Sequence, residues 1–237
     1  MTYLVGYGPH NNDRSAIELA CQFARSEPQN VRAVSVVPQG WGNPLAGGTD
    51  REFEDWAAGE GEITAEEARA DLAQHPGIDG TAVWVSGRSV PQALIEQATE
   101  HEARMLVVGS SGDAEPGRIR LSSKTDRLVH SSPIPVAIAP RGYRTDSGVT
   151  RVTVAFRDDD ASWSLLTGVA EICRRTGARL RVVTFVVAPP RRPVTSRMGH
   201  AETQVIDLWR MQAGNAQHEA EEFLRSQGFD DDTLTFT

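Results

Sequence analysis

Short apolar runs alternate with segments of helical periodicity over the first 140 residues, and this alternation restricts the fold more than any other feature. Between the runs, apolar residues recur three or four positions apart, as Ile17, Ala20 and Ala24 do. The five runs, in chain order, are YLVGY, VRAVSVV, TAVWV, RMLVV and PIPVAIAP. Strands that alternate with helices predict an α/β domain, an open parallel sheet with helices on both faces that closes near Pro140.

The rest of the chain repeats the beginning of this pattern. With a shift of 149 positions, VRAVSVV aligns with LRVVTFV at 180–186, and farther along a shift of 152 aligns TAVWV with TLTFT at 233–237. Apolar positions match even where identities differ, which is typical of a duplicated fold. The pattern predicts a complete domain over 1–140, a linker over 141–150 and an incomplete second domain over 151–237 with the first three strands only.

The alignment of the second copy ends at the counterpart of Val85. A counterpart of residues 86–140, with the last two strands and the glycine loop between them, is missing from it. A half-domain that ends at a strand leaves one sheet edge unpaired. Two explanations stay open: a truncated chain, or a degenerate second copy whose edge is covered by the first.

A glycine-containing loop follows the fourth apolar run and is the main candidate for a binding site. Gly109 and Gly112 are separated by two serines, and nine further residues lead to Ser122 and Ser123. In open parallel sheets, ligands bind beyond the carboxyl ends of the strands, and the amides at the start of a helix favour anions. The spacing therefore predicts a phosphate site, with Arg118 and Arg120 of the intervening loop available to neutralise its charge.

The string MLVVGSSGDAEPGRIRLSSKTDRLVHSSPIPVAIAP at 105–140 resembles the C-terminal half of a universal stress protein domain. ATP-binding members of that family carry the pattern G-x2-G-x9-G-[ST]. Gly109, Gly112 and Ser123 match it, and Ser122 stands at the third glycine. The resemblance extends over essentially all of the first 140 residues, and the second half resembles the first three strands of another such domain.

This resemblance implies a Rossmann-like, five-stranded parallel sheet of order 3-2-1-4-5, in domains that pair, commonly through their last strands. It also implies an ATP site. In that site Val36 lies near adenine, and Val108 and Gly109 lie near the ribose. The phosphates are held by Gly112, Ser122 and Ser123.

Two positions depart from the ATP-binding pattern. Gly8 follows the first strand, where ATP-binding members usually carry an aspartate, and the corresponding residue of the second copy is Arg157. At position 122, serine replaces the glycine of the pattern and adds a Cβ where the backbone would otherwise be exposed to the phosphate. A missing acceptor at a polar site costs about 1–3 kcal/mol. Two functions therefore stay open: a nucleotide sensor whose 113–121 loop is ordered by ATP, and a nucleotide-free module that acts through dimerisation and partner binding.

Composition restricts the other function classes. A formal net charge of −8 disfavours non-specific binding to nucleic acid or to anionic membranes. The amino terminus lacks the pattern of a signal peptide, and the two cysteines indicate no disulfide framework, so we expect a cytoplasmic protein. The six histidines show no metal-ligand spacing and no nucleophile–base set occurs, which predicts neither a metal site nor an enzyme. The expected partners are an adenine nucleotide, a second copy within the tandem or a homodimer, and an unidentified protein.

Overall fold

The computed structural model describes residues 2–8, 13–40, 47–185 and 196–237. The chain divides into two compact units, 1–148 and 149–237. Among the described residues, the first unit contains five strands that alternate with four helices: β1 Thr2–Tyr7, α1 Ser15–Ser26, β2 Asn30–Pro38, α2 Gly47–Leu72, β3 Gly80–Gly87, α3 Val90–Glu100, β4 Ala103–Gly109, α4 Ser123–Ser131 and β5 Val136–Ala139.

All strands of the first unit are parallel, in the order β3-β2-β1-β4-β5, which confirms the predicted fold class and strand order. One face of the sheet packs on α1 and α2, where Val5 meets Ile17 in one buried cluster. The opposite face packs on α3 and α4, where Leu4 shares a cluster with Leu94 and Leu128. Burial of both faces explains why the strands are continuous apolar runs rather than alternating ones.

The segment predicted to be a linker lies for the most part against the first unit. The Tyr143 amide donates to Ser15 Oγ at 2.9 Å, and the Tyr143 hydroxyl donates to Gln22 Oε1 at 2.6 Å. Arg25, also on α1, donates to the Thr145 carbonyl at 3.1 Å. Side-chain bonds to α1 thus extend the first unit to Gly148, and the boundary between the units follows that residue.

The second unit is built from β6 Arg151–Ala155, α5 Asp160–Thr176, β7 Arg179–Val183, α6 Ser196–Ser226 and β8 Leu234–Phe236. Its strands are parallel in the order β6-β7-β8. Arg151 pairs with Arg179 just as Thr2 pairs with Asn30, so the sheet register reproduces the shift of 149. The second unit therefore has the β1, α1, β2, α2, β3 arrangement of the first, as the repeat predicted.

The predicted alignment is wrong by two residues at β8. Leu180 pairs with Leu234, whereas its counterpart Val31 pairs with Gly80, which makes the shift 154 rather than 152. The turns before β3 and β8 have the same length, 73–79 and 227–233, and the two additional residues lie at the end of α6, which continues past Leu224, the counterpart of Leu72, to Ser226. The Asp230 carboxylate holds the turn before β8 by accepting from the Thr233 amide at 3.0 Å. Because side chains alternate faces with a period of two, the displacement keeps the apolar positions on the same face of the sheet.

A buried polar cluster joins β1, α2 and the start of α1 in the first unit. Tyr7 donates its hydroxyl to Asp71 Oδ2 at 3.0 Å, and Arg14 Nε lies 2.9 Å from Asp71 Oδ1. Burial, together with the neighbouring Asp71 charge, raises the pKa of the Tyr7 phenol. The phenol therefore remains a neutral hydrogen-bond donor at physiological pH.

Aromatic rings replace this cluster in the second unit. The counterparts of Tyr7 and Arg14 are Phe156 and Trp163, whose rings meet edge to face with centroids 5.0 Å apart. Trp163 makes a second edge-to-face contact, at 5.9 Å, with Phe223, which aligns with the buried aspartate. Residues at the same three aligned positions thus stabilise the first copy through charge and hydrogen bonds and the second through the packing of aromatic rings.

The raised pKa of Tyr7 predicts how stability depends on pH. The folded phenol keeps its proton above pH 10, where the unfolded phenol loses it, so its contribution is complete below about pH 10 and is lost as pH rises further. Between pH 8 and 11, the free energy of unfolding in urea should fall more steeply for the natural chain than for Tyr7→Phe. Absorbance titrations of the tyrosines in the two proteins should differ by one phenol that ionises above pH 10. Identical titrations would contradict the assignment.

Two glycines of α2 provide a test of packing between that helix and β3. A Cβ on Gly61 would lie 2.6 Å from Trp84 Cδ2, whereas one on Gly59 would meet no described atom within 4 Å. Alanine is favoured over glycine in helices by about 1 kcal/mol, and overpacking costs about 1–3 kcal/mol. We expect Gly59→Ala to raise the free energy of unfolding and Gly61→Ala to lower it, by urea denaturation. Equal stabilisation by both would show that Trp84 is not fixed against the helix.

Candidate functional site

A cavity of about 350 Å³ lies at the carboxyl ends of β2, β1 and β4, and the first turn of α4 closes one side of it. Seven of the nine residues predicted for the site line it: Gly8, Val36, Val108, Gly109, Gly112, Ser122 and Ser123. Apolar side chains of α3 and α4, among them Leu94 and Leu128, form the wall beneath the strands. The sheet changes its direction of winding between β1 and β4, which is where open parallel sheets bind ligands.

Three of the lining glycines have open space where a side chain would begin. A Cβ on Gly8, Gly109 or Gly112 would meet no described atom within 4 Å. By contrast, a Cβ on Gly6 would lie 3.0 Å from Leu94 Cδ1. Packing among the described residues therefore accounts for glycine at position 6 but not at the other three, where the absence of a side chain leaves the backbone accessible from the cavity.

The start of α4 supplies hydrogen-bond donors to the same cavity. Ser122 is the N-cap residue, in an extended conformation that any residue adopts, and its Oγ accepts from the Thr125 amide at 3.1 Å. The amides of Ser123 and Lys124 come too early in the helix to have an intrahelical acceptor. Together with the helix dipole, these amides make this wall of the cavity attractive to an anion.

The structure does not bring Arg118 and Arg120 to the cavity. Arg120 Nη1 lies 2.7 Å from Asp113 Oδ2, and both side chains are exposed. The Arg120 backbone is held at the base of the loop, where its amide donates to Ser110 Oγ at 2.8 Å and its carbonyl accepts from the Ser111 amide at 2.8 Å. A hydrogen bond from Ser111, together with the charge of Arg120, lowers the pKa of Asp113.

Backbone and side-chain bonds from the end of β5 hold the 113–121 loop in place. Arg141 Nη1 donates to the Ala114 carbonyl at 2.6 Å, and the Arg141 carbonyl accepts from the Gly117 amide at 2.8 Å. The Arg141 amide in turn donates to the Arg118 carbonyl at 3.0 Å. These bonds come from the protein itself, so a ligand is not needed to form them.

Comparison with known proteins decides the family. The model of the universal stress protein family matches residues 1–140. The chain belongs to the universal stress protein family. It is 34% identical, over 217 residues, to universal stress proteins of Mycobacterium bovis and Mycobacterium tuberculosis, an alignment that covers 90% of this chain and 74% of each relative. A solved universal stress protein from Archaeoglobus fulgidus is 14% identical, with a TM-score of 0.61, over 98% of this chain and 76% of that one.

These similarities extend across both units, whereas the glycine loop belongs to the first. In the described part of the second unit, the residue that corresponds to Gly8 is Arg157, whose Nη2 lies 2.6 Å from Asp159 Oδ2. Asp159 caps α5 by accepting from the Ser162 amide at 2.8 Å. That amide bond and the neighbouring Arg157 lower the pKa of Asp159 to about 2. The start of α5, the counterpart of α1, is therefore capped by a carboxylate of the chain itself.

Lys124 is a lining residue that the sequence reasoning missed. The family pattern specifies glycine and a hydroxyl residue at the start of α4 and ends there, so it gives no residue type for the next position. The signal was nevertheless present, since Lys124 is the only lysine in the chain and follows the two serines directly.

Two classes of site are absent from the described residues. No group of three or more histidine, cysteine, aspartate and glutamate side chains is placed to hold a metal ion there. Among the same residues, no helix combines the length and apolarity that crossing a membrane requires.

The cap of α4 gives a testable prediction at the position where this chain departs from the family pattern. Ser122→Ala should lower the free energy of unfolding by about 1 kcal/mol, because the Thr125 amide loses its acceptor, and Ser122→Gly should lower it by only a few tenths. Urea denaturation measures both. Ser131→Ala, at the exposed end of the same helix, is the matched control and should stay within about 0.5 kcal/mol. Equal losses for the alanine and glycine variants would contradict a capping role.

Proposed function

We propose that the first unit binds an adenine nucleotide, ATP or a close relative, without dedicated catalysis, and that it works as a sensor in a stress response. One observation carries the proposal. Open glycine backbone at Gly109 and Gly112 and the first-turn amides of α4 converge on one cavity at the switch point of the sheet. Membership in the universal stress protein family supports the stress-response part.

The cavity offers different chemistry at its two ends, which suggests how the nucleotide lies. Val34 and Val36 of β2 present an apolar surface suited to the face of a purine. Val108 and Gly109, at the end of β4, lie between that surface and α4 and would border the ribose. The phosphates would then lie against Gly112 and the first turn of α4, where the donors are.

The lining residues favour binding without hydrolysis. Among the described residues, the cavity is lined by no carboxylate, histidine or cysteine that would serve as a general base. The one phenol, Tyr7, donates its hydroxyl to Asp71, and its raised pKa keeps it protonated. Among the described residues, an attacking water would therefore find no side chain to accept its proton.

Self-association is part of the same proposal, in the cytoplasm. Among the described strands of the first sheet, β5 is at one edge and pairs with β4 alone. Val136, Ala137 and Ile138 of this strand are only half-buried. An edge strand with free backbone groups and apolar side chains is suited to pairing with a second copy of the domain.

A second candidate is a nucleotide-free interaction module. It is favoured by Gly8, which has no side chain to accept a hydrogen bond at a position where ATP-binding members of the family usually carry an aspartate. The loss of such a bond weakens binding by about 10- to 100-fold. The protein would then act through self-association and a protein partner alone.

Gly112→Val tests the phosphate end of the proposed site. Valine at this position meets no described atom at its Cβ, so the fold should remain stable, but the side chain fills space that a phosphate needs. We expect isothermal titration calorimetry and native mass spectrometry to show one nucleotide per chain for the natural protein and none for the variant. Gly59→Val adds the same side chain to an open glycine of α2 and is the matched control. Unchanged binding in Gly112→Val would rule out this placement of the phosphates.

A gain-of-function variant separates the two candidates. If the natural chain binds no nucleotide at millimolar ATP, Gly8→Asp combined with Ser122→Gly restores the family pattern at both departures. Binding by that double variant alone would favour the interaction module with an eroded site. A double variant that also fails to bind would count against erosion at these two positions.

A further inference from the structure

Lys124 has an unusual position for a cation. It is the single lysine among 24 lysine and arginine residues, and it occupies the first turn of α4. A positive side chain there is repelled by the positive end of the helix dipole. An anion between the ammonium group and the helix amides attracts both of them and removes this repulsion. Lysine at this position therefore favours a bound anion more than it stabilises the helix.

Lys124 also carries the only full charge that the described residues present to the cavity. The chain has 32 acidic residues, yet none of the described ones lines this space. The nearest acidic residue along the helix is Asp126, whose Oδ1 lies 3.8 Å from Nδ1 of His130. Arg120, which was expected to neutralise phosphate, is paired with Asp113. Among the described residues, Lys124 is thus the one cation that lines the cavity.

We propose that Lys124 makes the site selective for nucleotides that carry two or three phosphates. The inference rests on the proposed nucleotide site and specifies its ligand. The first-turn amides of α4 are fixed in the backbone and suit the phosphate nearest the ribose. The ammonium group of Lys124 stands on a flexible four-carbon stem that is long enough to reach past those amides, where the later phosphates of ADP and ATP would lie.

Calorimetry with a series of ligands tests this selectivity on the full chain. The ligands are ATP, ADP, AMP and adenosine. In Lys124→Gln the affinity for ATP and ADP should fall by about 10- to 100-fold, because a charge-assisted bond is lost, while adenosine should bind as before. Lys124→Arg should retain most of the ATP affinity because the charge remains. Arg127→Gln removes a cation from the same helix outside the cavity and is the matched control. Thermal melting confirms that each variant is folded.

Chemical labelling provides a readout that a merely structural lysine would not change. Because the chain has one lysine, an N-hydroxysuccinimide ester modifies a single side-chain amine, which peptide mass spectrometry quantifies. We expect ATP and ADP to protect Lys124 from labelling and adenosine to leave it reactive. The α-amino group serves as the internal reference for reagent activity.

The outcomes separate this inference from the function on which it rests. If the natural chain binds none of the four ligands, both the nucleotide site and the role of Lys124 are wrong. If ATP binds with the same affinity to Lys124→Gln and gives no protection from the ester, the nucleotide site stands and the role of Lys124 is wrong. Weaker ATP binding in Lys124→Gln, with adenosine unaffected and protection by ATP, supports both.

Discussion

Strand β1 is hydrogen-bonded on both sides, to β2 and to β4, and the rest of the first unit depends on this double pairing. The chain winds outward from β1 in one direction to β3 and then crosses to the other side to form β4. The crossing helices consequently pack on opposite faces, with α1 against Val5 and α3 against Leu4. The chain leaves the carboxyl end of β1 toward one face of the sheet and the carboxyl end of β4 toward the other. The cavity lies between these two strand ends.

The two copies show that one backbone arrangement accommodates different kinds of side-chain interaction. Their sheets share a register, yet a buried tyrosine–aspartate–arginine cluster in one is a set of aromatic rings in the other. Fold and site are therefore under separate physical control. Packing needs only a filled volume at these places, whereas an anion site needs open backbone and unoccupied amides. The first unit has both at Gly112 and the first turn of α4, a helix without a counterpart among the described residues of the second unit.

Much of this architecture could be predicted because it follows from local patterns. Apolar runs and helical periodicity predict the parallel α/β class, and the family resemblance implies the strand order that the sheet shows. The repeat shift of 149 appears directly in the pairing of β6 with β7. The failures have non-local or side-chain causes. Two additional residues at the end of α6 displace β8 by two positions, and Tyr143 contacts α1 through residues more than 100 positions away. Arg120 does not line the predicted site, and its side chain pairs with Asp113 of the same loop.

The bonds that hold the 113–121 loop change what a nucleotide would do to this surface. Arg141 already fixes the loop from the end of β5, so binding would add little order there. What a polyphosphate would alter is charge, because it would cover Lys124, the one cation among the described lining residues, and leave its own excess negative charge at the mouth of the cavity. On a chain of net charge −8, such a change is felt within about a Debye length, roughly 8 Å at physiological ionic strength. A partner that reads the nucleotide state would therefore have to contact the region around α4 directly.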